Sequence, residues 1–326
     1  MTTPVPFGER LAITFATLGQ LCVGIDPHDY LLDAWELPRT AAGVREFGLR
    51  VVDAAAGRVG IVKPQVAFFE LFGSAGVAAL EEVMAAARAA GLLVIADAKR
   101  GDIGTSAEAY GRAWLQPGSP LEADAVTLTA YAGVGSLQAV FDLAESTGKG
   151  AFVLSATSNP ESFTLQSART VGAPTISGAT STPAATAATS TPAAKAAAAA
   201  ADYSVAGLVA HDVSTHNRAR SGGGSHLGNI GLVLGATKNL LDYSIDRDAL
   251  AANPMTPVLA PGFGFQGARF SDVHSVFGPL TPGTVVAVSR SVLAAGSASG
   301  SGTAGMADAI TRQSGELADA LAGARS

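Results

Sequence analysis

Asp97 and Lys99 stand two residues apart in Ala96-Asp97-Ala98-Lys99-Arg100-Gly101-Asp102. Residues two apart on an extended strand point the same way, so a carboxylate and an ammonium would share one face. That pair alone describes a structural ion pair as well as it describes a reactive site. Lys63, in Val62-Lys63-Pro64-Gln65, closes another short apolar run, and Asp102 follows close behind Lys99. Two lysines and two carboxylates gathered in one place point to proton transfer, because clustered charges tune one another. A second constellation, Gly262-Phe263-Gly264-Phe265-Gln266-Gly267, has the G-x-G-x-x-G spacing. A dinucleotide loop of that form needs an acidic residue at the end of the next strand, for a ribose hydroxyl. Here the next apolar run ends in Val288-Ser289-Arg290. A guanidinium fork with backbone N–H groups suits a phosphate monoester instead. The plainer alternative is a glycine-rich turn beside a surface arginine.

These residues need a scaffold that brings strand ends together. Short apolar runs recur at 21–25, 60–62, 92–96, 125–128, 151–154, 231–234, 257–260 and 285–288. They lack polar alternation, as strands buried on both faces do. Between them, 40–56, 77–90, 105–115, 136–145 and 304–321 carry Ala, Leu and Val at helical spacing. A β-α alternation repeated about eight times predicts a (β/α)8 TIM barrel or a doubly wound sheet. In a barrel, chemistry sits at the C-terminal strand ends. Asp26, Lys63, Asp97, Lys99, Ser158, Pro261, Gln266, Gly267, Ser289 and Arg290 all follow such runs.

The chain has 326 residues, 48% hydrophobic and 15% charged, enough apolar material for one large core. We expect a single barrel domain over 1–326, broken by a flexible, low-complexity Ala/Thr/Ser/Pro insertion at 167–201. That stretch holds only Val171 and Ile176 as large aliphatics and can bury little. Its Ala196–201 run is expected to begin a helix reaching about residue 218. The net charge of -6 disfavours nucleic acid and anionic membranes as partners. Without a visible signal peptide or a membrane-length apolar run, a cytoplasmic protein is expected. Cys22, the lone cysteine, reads as a small core residue. His211 and His216 are five apart and miss a common helical face, so no metal site is expected. These two, with His28, His226 and His274, read as surface or capping residues.

The motif Asp97-Ala98-Lys99-Arg100-Gly101-Asp102-Ile103 is similar to the D-x-K-x-x-D signature of the orotidine 5′-phosphate decarboxylase family. Val62-Lys63-Pro64-Gln65 with Phe68-Phe69-Glu70, and Val288-Ser289-Arg290-Ser291, resemble the branch common in actinobacteria. The resemblance implies loss of CO2 from orotidine 5′-monophosphate to give UMP in de novo pyrimidine biosynthesis, with no cofactor and no metal. It also implies a homodimer. Lys63, Asp97, Lys99 and Asp102 would form a charged tetrad, with Asp102 donated by the partner subunit. Lys99 would stabilise the carbanion at C6 and then protonate it. Asp26 would bind the ribose, Ser158 would face the pyrimidine, and Pro261 would line the pocket. Gln266 and Arg290 would hold the phosphate, with Gly267 and Ser289 beside them and the loop 264–277 as a lid. Ser106 stands where many members have Thr, which keeps the hydroxyl.

Two other readings fit parts of the pattern. Mg2+-dependent 3-keto-sugar-phosphate decarboxylases and hexulose-phosphate synthases share D-x-K-x-x-D but resemble one another in a Glu at the end of strand two, where this chain has Lys63. A non-catalytic phosphate-binding barrel would need Gln266 and Arg290 but not the tetrad.

Overall fold

Eight parallel strands close into a barrel in strict chain order, each bonded to the next and the last to the first. They are β1 (Leu21–Ile25), β2 (Ile61–Pro64), β3 (Leu93–Arg100), β4 (Ala125–Leu128), β5 (Gly150–Ala156), β6 (Ile230–Leu234), β7 (Val258–Ala260) and β8 (Thr284–Val288). The computed structural model describes residues 4–170, 203–220, 226–297 and 301–323. Helices lie between the strands, among them Ala41–Ala55, Gly73–Ala89, Gly104–Leu115 and Val205–Ala219. This is the (β/α)8 alternative of the two architectures, and every apolar run became a strand.

The period of two along each strand sorts its side chains. On β1, Leu21, Val23 and Ile25 face the surrounding helices, while Cys22 joins the inner core. The inner core also takes Ile61, Leu93, Ile95, Phe152, Val233 and Leu259. Two residues further along, the same inward positions turn polar: Lys63 follows Ile61 and Asp97 follows Ile95. The barrel is therefore apolar below and charged at its C-terminal mouth.

The floor is closed by a helix that the hydrophobic runs did not reveal, Phe7–Leu18. Its Phe7 and Leu11 enter the inner core, and Phe7 meets Phe152 edge-on at 6.0 Å between centroids. Gly8 is required there, because a Cβ would stand 2.1 Å from the Leu227 carbonyl oxygen.

The stretch 167–201 is described only as far as 170; the rest of the expected insertion, with the Ala196–201 run, lies outside the described residues. Its two flanks meet. Arg169 bridges Ser204 antiparallel, and Thr170 N–H donates to the Tyr203 carbonyl at 2.8 Å. The following helix does not run on from the alanines as expected. It starts at Val205, where the Ser204 hydroxyl accepts the Gly207 N–H at 2.9 Å, a serine N-cap that stops the helix from extending backwards.

Candidate active site

Asp97 lies at the centre of the mouth. Lys63 Nζ donates to its Oδ2 at 2.8 Å, and Lys99 Nζ to its Oδ1 at 2.7 Å. The lysine and carboxylate side chains of the first pair are 11% and 12% exposed, whereas Lys99 is 43% exposed. Burial works against both charges of the inner pair, but their attraction outweighs it. Lys63 is held above the usual lysine range by Asp97 and Asp26. Asp97 is held below the usual carboxylate range by Lys63 and Lys99. Both groups therefore stay ionised at neutral pH.

Asp97 and Lys99 do share a face, though not by plain strand alternation. The β3–β4 register slips between Ala96 and Arg100, and Lys99 has φ +50°. A side-chain-bearing residue is uncommon in that left-handed region, and such strain concentrates at functional sites. Thr127 stabilises the distortion. Its buried hydroxyl accepts the Lys99 N–H and donates to Asp97 Oδ1, both at 2.9 Å. Gln65 accepts from Lys99 Nζ at 3.2 Å through Oε1.

A cavity of about 730 Å³ opens above these groups, a volume suited to a small-molecule ligand. Asp26, Lys63, Asp97, Lys99, Ser158, Pro261, Gln266, Ser289 and Arg290 all line it. Asp26 Oδ1 and Ser289 Oγ are buried with no hydrogen-bond partner among the described residues. A buried polar atom without a partner is costly, so both mark places where a ligand's polar groups would be welcomed. Gly24 keeps this corner open, since a Cβ there would meet the Ser289 Cβ at 2.9 Å. At the far end, Gly262, Gly264 and Gly267 have φ of +116°, +74° and +105°. The G-x-G-x-x-G spacing is thus a backbone requirement of the turn that presents Gln266.

Three expected residues do not reach this cavity within one chain. Gly267 lines a neighbouring groove behind the turn. Asp102 and Ser106 sit in the exposed run 101–106, and Asp102 accepts the adjacent Ile103 N–H at 2.8 Å. The expected lid also differs. The turn 264–267 is exposed, as are Arg269, Ser271 and Ser275, but Val273 and Phe277 are fully buried in a short helix, Val273–Phe277.

Sequence reasoning missed Thr127, Gln65, His28 and Phe265. Thr127 carried a signal, as the lone polar residue of the run 125–128. His28 lines the cavity, packed edge-on against Phe68 at 4.4 Å and stacked on Tyr30. Burial and the Arg290 charge lower its pKa, with Asp26 opposing. His28 does stand at the N-cap of the helix Asp29–Ala34, though its side chain makes no capping hydrogen bond; the surface-or-capping reading fails for His216, which is 2.8 Å from Glu145 with a 9%-exposed side chain. Among the described residues, no three His, Cys, Asp or Glu converge in metal-binding geometry, and no helix is long and apolar enough to cross a membrane.

Comparison with known proteins gives a consistent result. Residues 19–302 match the model of the "Orotidine 5'-phosphate decarboxylase / HUMPS family". The orotidine 5′-phosphate decarboxylases of Salinispora arenicola and Corynebacterium efficiens are each 44% identical over 290 residues, covering 89% of this chain and 90% of theirs. A crystal structure from Streptomyces avermitilis superposes with a TM-score of 0.81 at 39% identity, over 98% of both chains.

Proposed function

Because this chain belongs to the orotidine 5′-phosphate decarboxylase / HUMPS family, we infer that its charged mouth decarboxylates orotidine 5′-monophosphate to UMP and CO2, a step of pyrimidine biosynthesis. The observation that carries the reading is the Lys63–Asp97–Lys99 chain at one side of a cavity that also holds Gln266 and Arg290. The two halves of the family differ at the end of β2. Lys63 occupies the position where the Mg2+-dependent sugar-phosphate enzymes resemble one another in a Glu, and an ammonium cannot ligate a cation. We therefore read the reaction as metal-free and cofactor-free.

In this reading the C6–carboxylate bond breaks, CO2 leaves, and its electron pair remains on C6. The Lys99 ammonium faces that carbanion, stabilises it electrostatically and transfers a proton to it. Lys63 and Thr127 hold Asp97, and Asp97 with Gln65 holds Lys99. Asp26, through its free Oδ1, takes a ribose hydroxyl. Ser158 and Pro261 flank the pyrimidine, while Gln266 and Arg290 take the phosphate, with Ser289 beside them. Remote phosphate binding helps to orient the ring for reaction.

Asp102 completes the tetrad from a second copy of the chain, in a homodimer where Ser106 also approaches the substrate. Two features support this. Asp102 is exposed and does not line its own chain's cavity, and Ile103, Tyr110 and Tyr131 are large exposed apolar side chains. A barrel with no membrane-length helix among its described residues, acting on a soluble nucleotide, fits a cytoplasmic setting.

The direct test is an absorbance assay of orotidine monophosphate consumption after EDTA treatment. Turnover equal to that of untreated protein is expected. Loss of turnover on EDTA, restored by Mg2+, would overturn the metal-free reading.

A further inference from the structure

Arg290 has no ion pair and no side-chain hydrogen bond among the described residues. Its guanidinium nevertheless has a fixed neighbour. The guanidinium carbon lies 3.6 Å from the centroid of the Phe265 ring, a separation possible only over the ring face. Phe265 is 69% exposed, whereas Phe263, two residues earlier, is 4% exposed and packs near Phe270 and Phe277. Core burial therefore explains Phe263 and does not explain Phe265. The turn holding Phe265 is fixed from both sides: Gly264 N–H donates to Ala268 at 2.9 Å, and Gly267 N–H to Gly264 at 3.0 Å. A Cβ on Gly264 would come within 3.1 Å of the Ser291 hydroxyl, so the turn rests against the residue next to Arg290.

We propose that Phe265 is a positioning residue that holds the Arg290 guanidinium ready for the substrate's phosphate. The proposal rests on the phosphate role of Arg290 given above. An aromatic face attracts a guanidinium without using its N–H donors. A carboxylate partner would consume those donors and cancel the charge. Stacked on the ring, Arg290 keeps its in-plane fork free for a phosphate monoester. The side chain has also lost rotational freedom before the ligand arrives, so less is lost on binding. Once phosphate is bound, Arg290 makes its contact with or without the ring, in substrate and transition state alike, so loss of the ring falls on KM rather than on kcat.

The test compares Phe265→Leu, Phe265→Tyr and Arg290→Ala, using orotidine monophosphate and the phosphate-free nucleoside orotidine. Phe265→Leu should raise KM for the nucleotide about three- to tenfold, with kcat unchanged. Phe265→Tyr, which keeps the ring face, should restore the wild-type KM. Neither should alter kcat/KM for orotidine, and Phe265→Leu should add nothing in the Arg290→Ala background. If Phe265→Leu left KM at wild type while Arg290→Ala was impaired, the positioning role alone would fall. If Phe265→Leu lowered kcat/KM equally for nucleotide and nucleoside, the ring would be acting elsewhere than on phosphate. Should Arg290→Ala leave nucleotide turnover intact, the phosphate assignment would fall, and this proposal with it.

Discussion

The barrel carries a buried aspartate between two cations at each end, and only one end has the features of an active site. At the floor, Asp124 is bound by Arg10, by Lys149 Nζ at 3.5 Å and by the Val94 N–H at 2.9 Å. Lys149 also reaches Glu122 at 2.9 Å. At the mouth, Asp97 is bound by Lys63, Lys99 and Thr127. Charge and pairing are alike. What differs is completion. The floor cluster takes Arg10 from the helix Phe7–Leu18 and borders an open groove beside Arg10, Glu122 and Lys149, but each of its carboxylates is satisfied within the chain. The mouth opens on a cavity, leaves Asp26 Oδ1 and Ser289 Oγ without partners, and holds Lys99 half-exposed at φ +50°. An ion cluster alone thus does not mark chemistry. Unmet polar atoms, local strain and space for a ligand do.

Substitutions at the two ends should separate along this line. Lys99→Ala should lower kcat/KM by about 1000-fold or more, the combined scale of proton transfer and electrostatic stabilisation. Its melting temperature should barely move, because Lys99 is half-exposed. Asp124→Asn should do the reverse. It takes the carboxylate from Arg10 and weakens the pairing of Lys149, which keeps Glu122, and should cost about 1–3 kcal/mol of stability, while turnover per folded molecule stays at wild type. Denaturant titrations beside kinetics measure both. A large kinetic defect in Asp124→Asn would break the comparison.

Acid should weaken the native state through carboxylates such as Asp97. Its folded pKa is depressed, so the native state binds fewer protons than the unfolded chain near the carboxylate range. That contribution is intact above the unperturbed value of 3.8 and is lost as pH falls below it. Urea midpoints should hold from pH 7 to about 4 and then decline. A midpoint that rose on acidification below pH 4 would contradict the sign. The smallest effect is expected from the insertion. Because Thr170 and Tyr203 are already hydrogen-bonded at 2.8 Å, replacing 171–202 with a two-residue Asn-Gly turn should leave kcat/KM within about twofold.

Much of this was legible in the sequence for physical reasons. Strands buried on both faces are uniformly apolar, so all eight runs stood out, and polar residues at their ends fell at the mouth. Periodicity could not show the Phe7–Leu18 helix, whose role as floor depends on Gly8 approaching a distant carbonyl. Nor could it show that Lys99 meets Asp97 through a positive φ and a register slip, because that geometry is imposed by Thr127 on the next strand. Phe265 looked like one more member of a glycine loop until its ring was found over Arg290. Contacts made across strands leave little trace along the chain.

The central claim is that the floor is complete within one chain and the mouth is not. Lys99→Ala and Asp102→Ala proteins, each nearly inactive alone, should be mixed, dissociated and reassembled. Random pairing puts half the chains in mixed dimers with one intact site each, so about a quarter of wild-type activity should return. Activity that stayed at the level of the separate variants would contradict a site completed by the partner's aspartate.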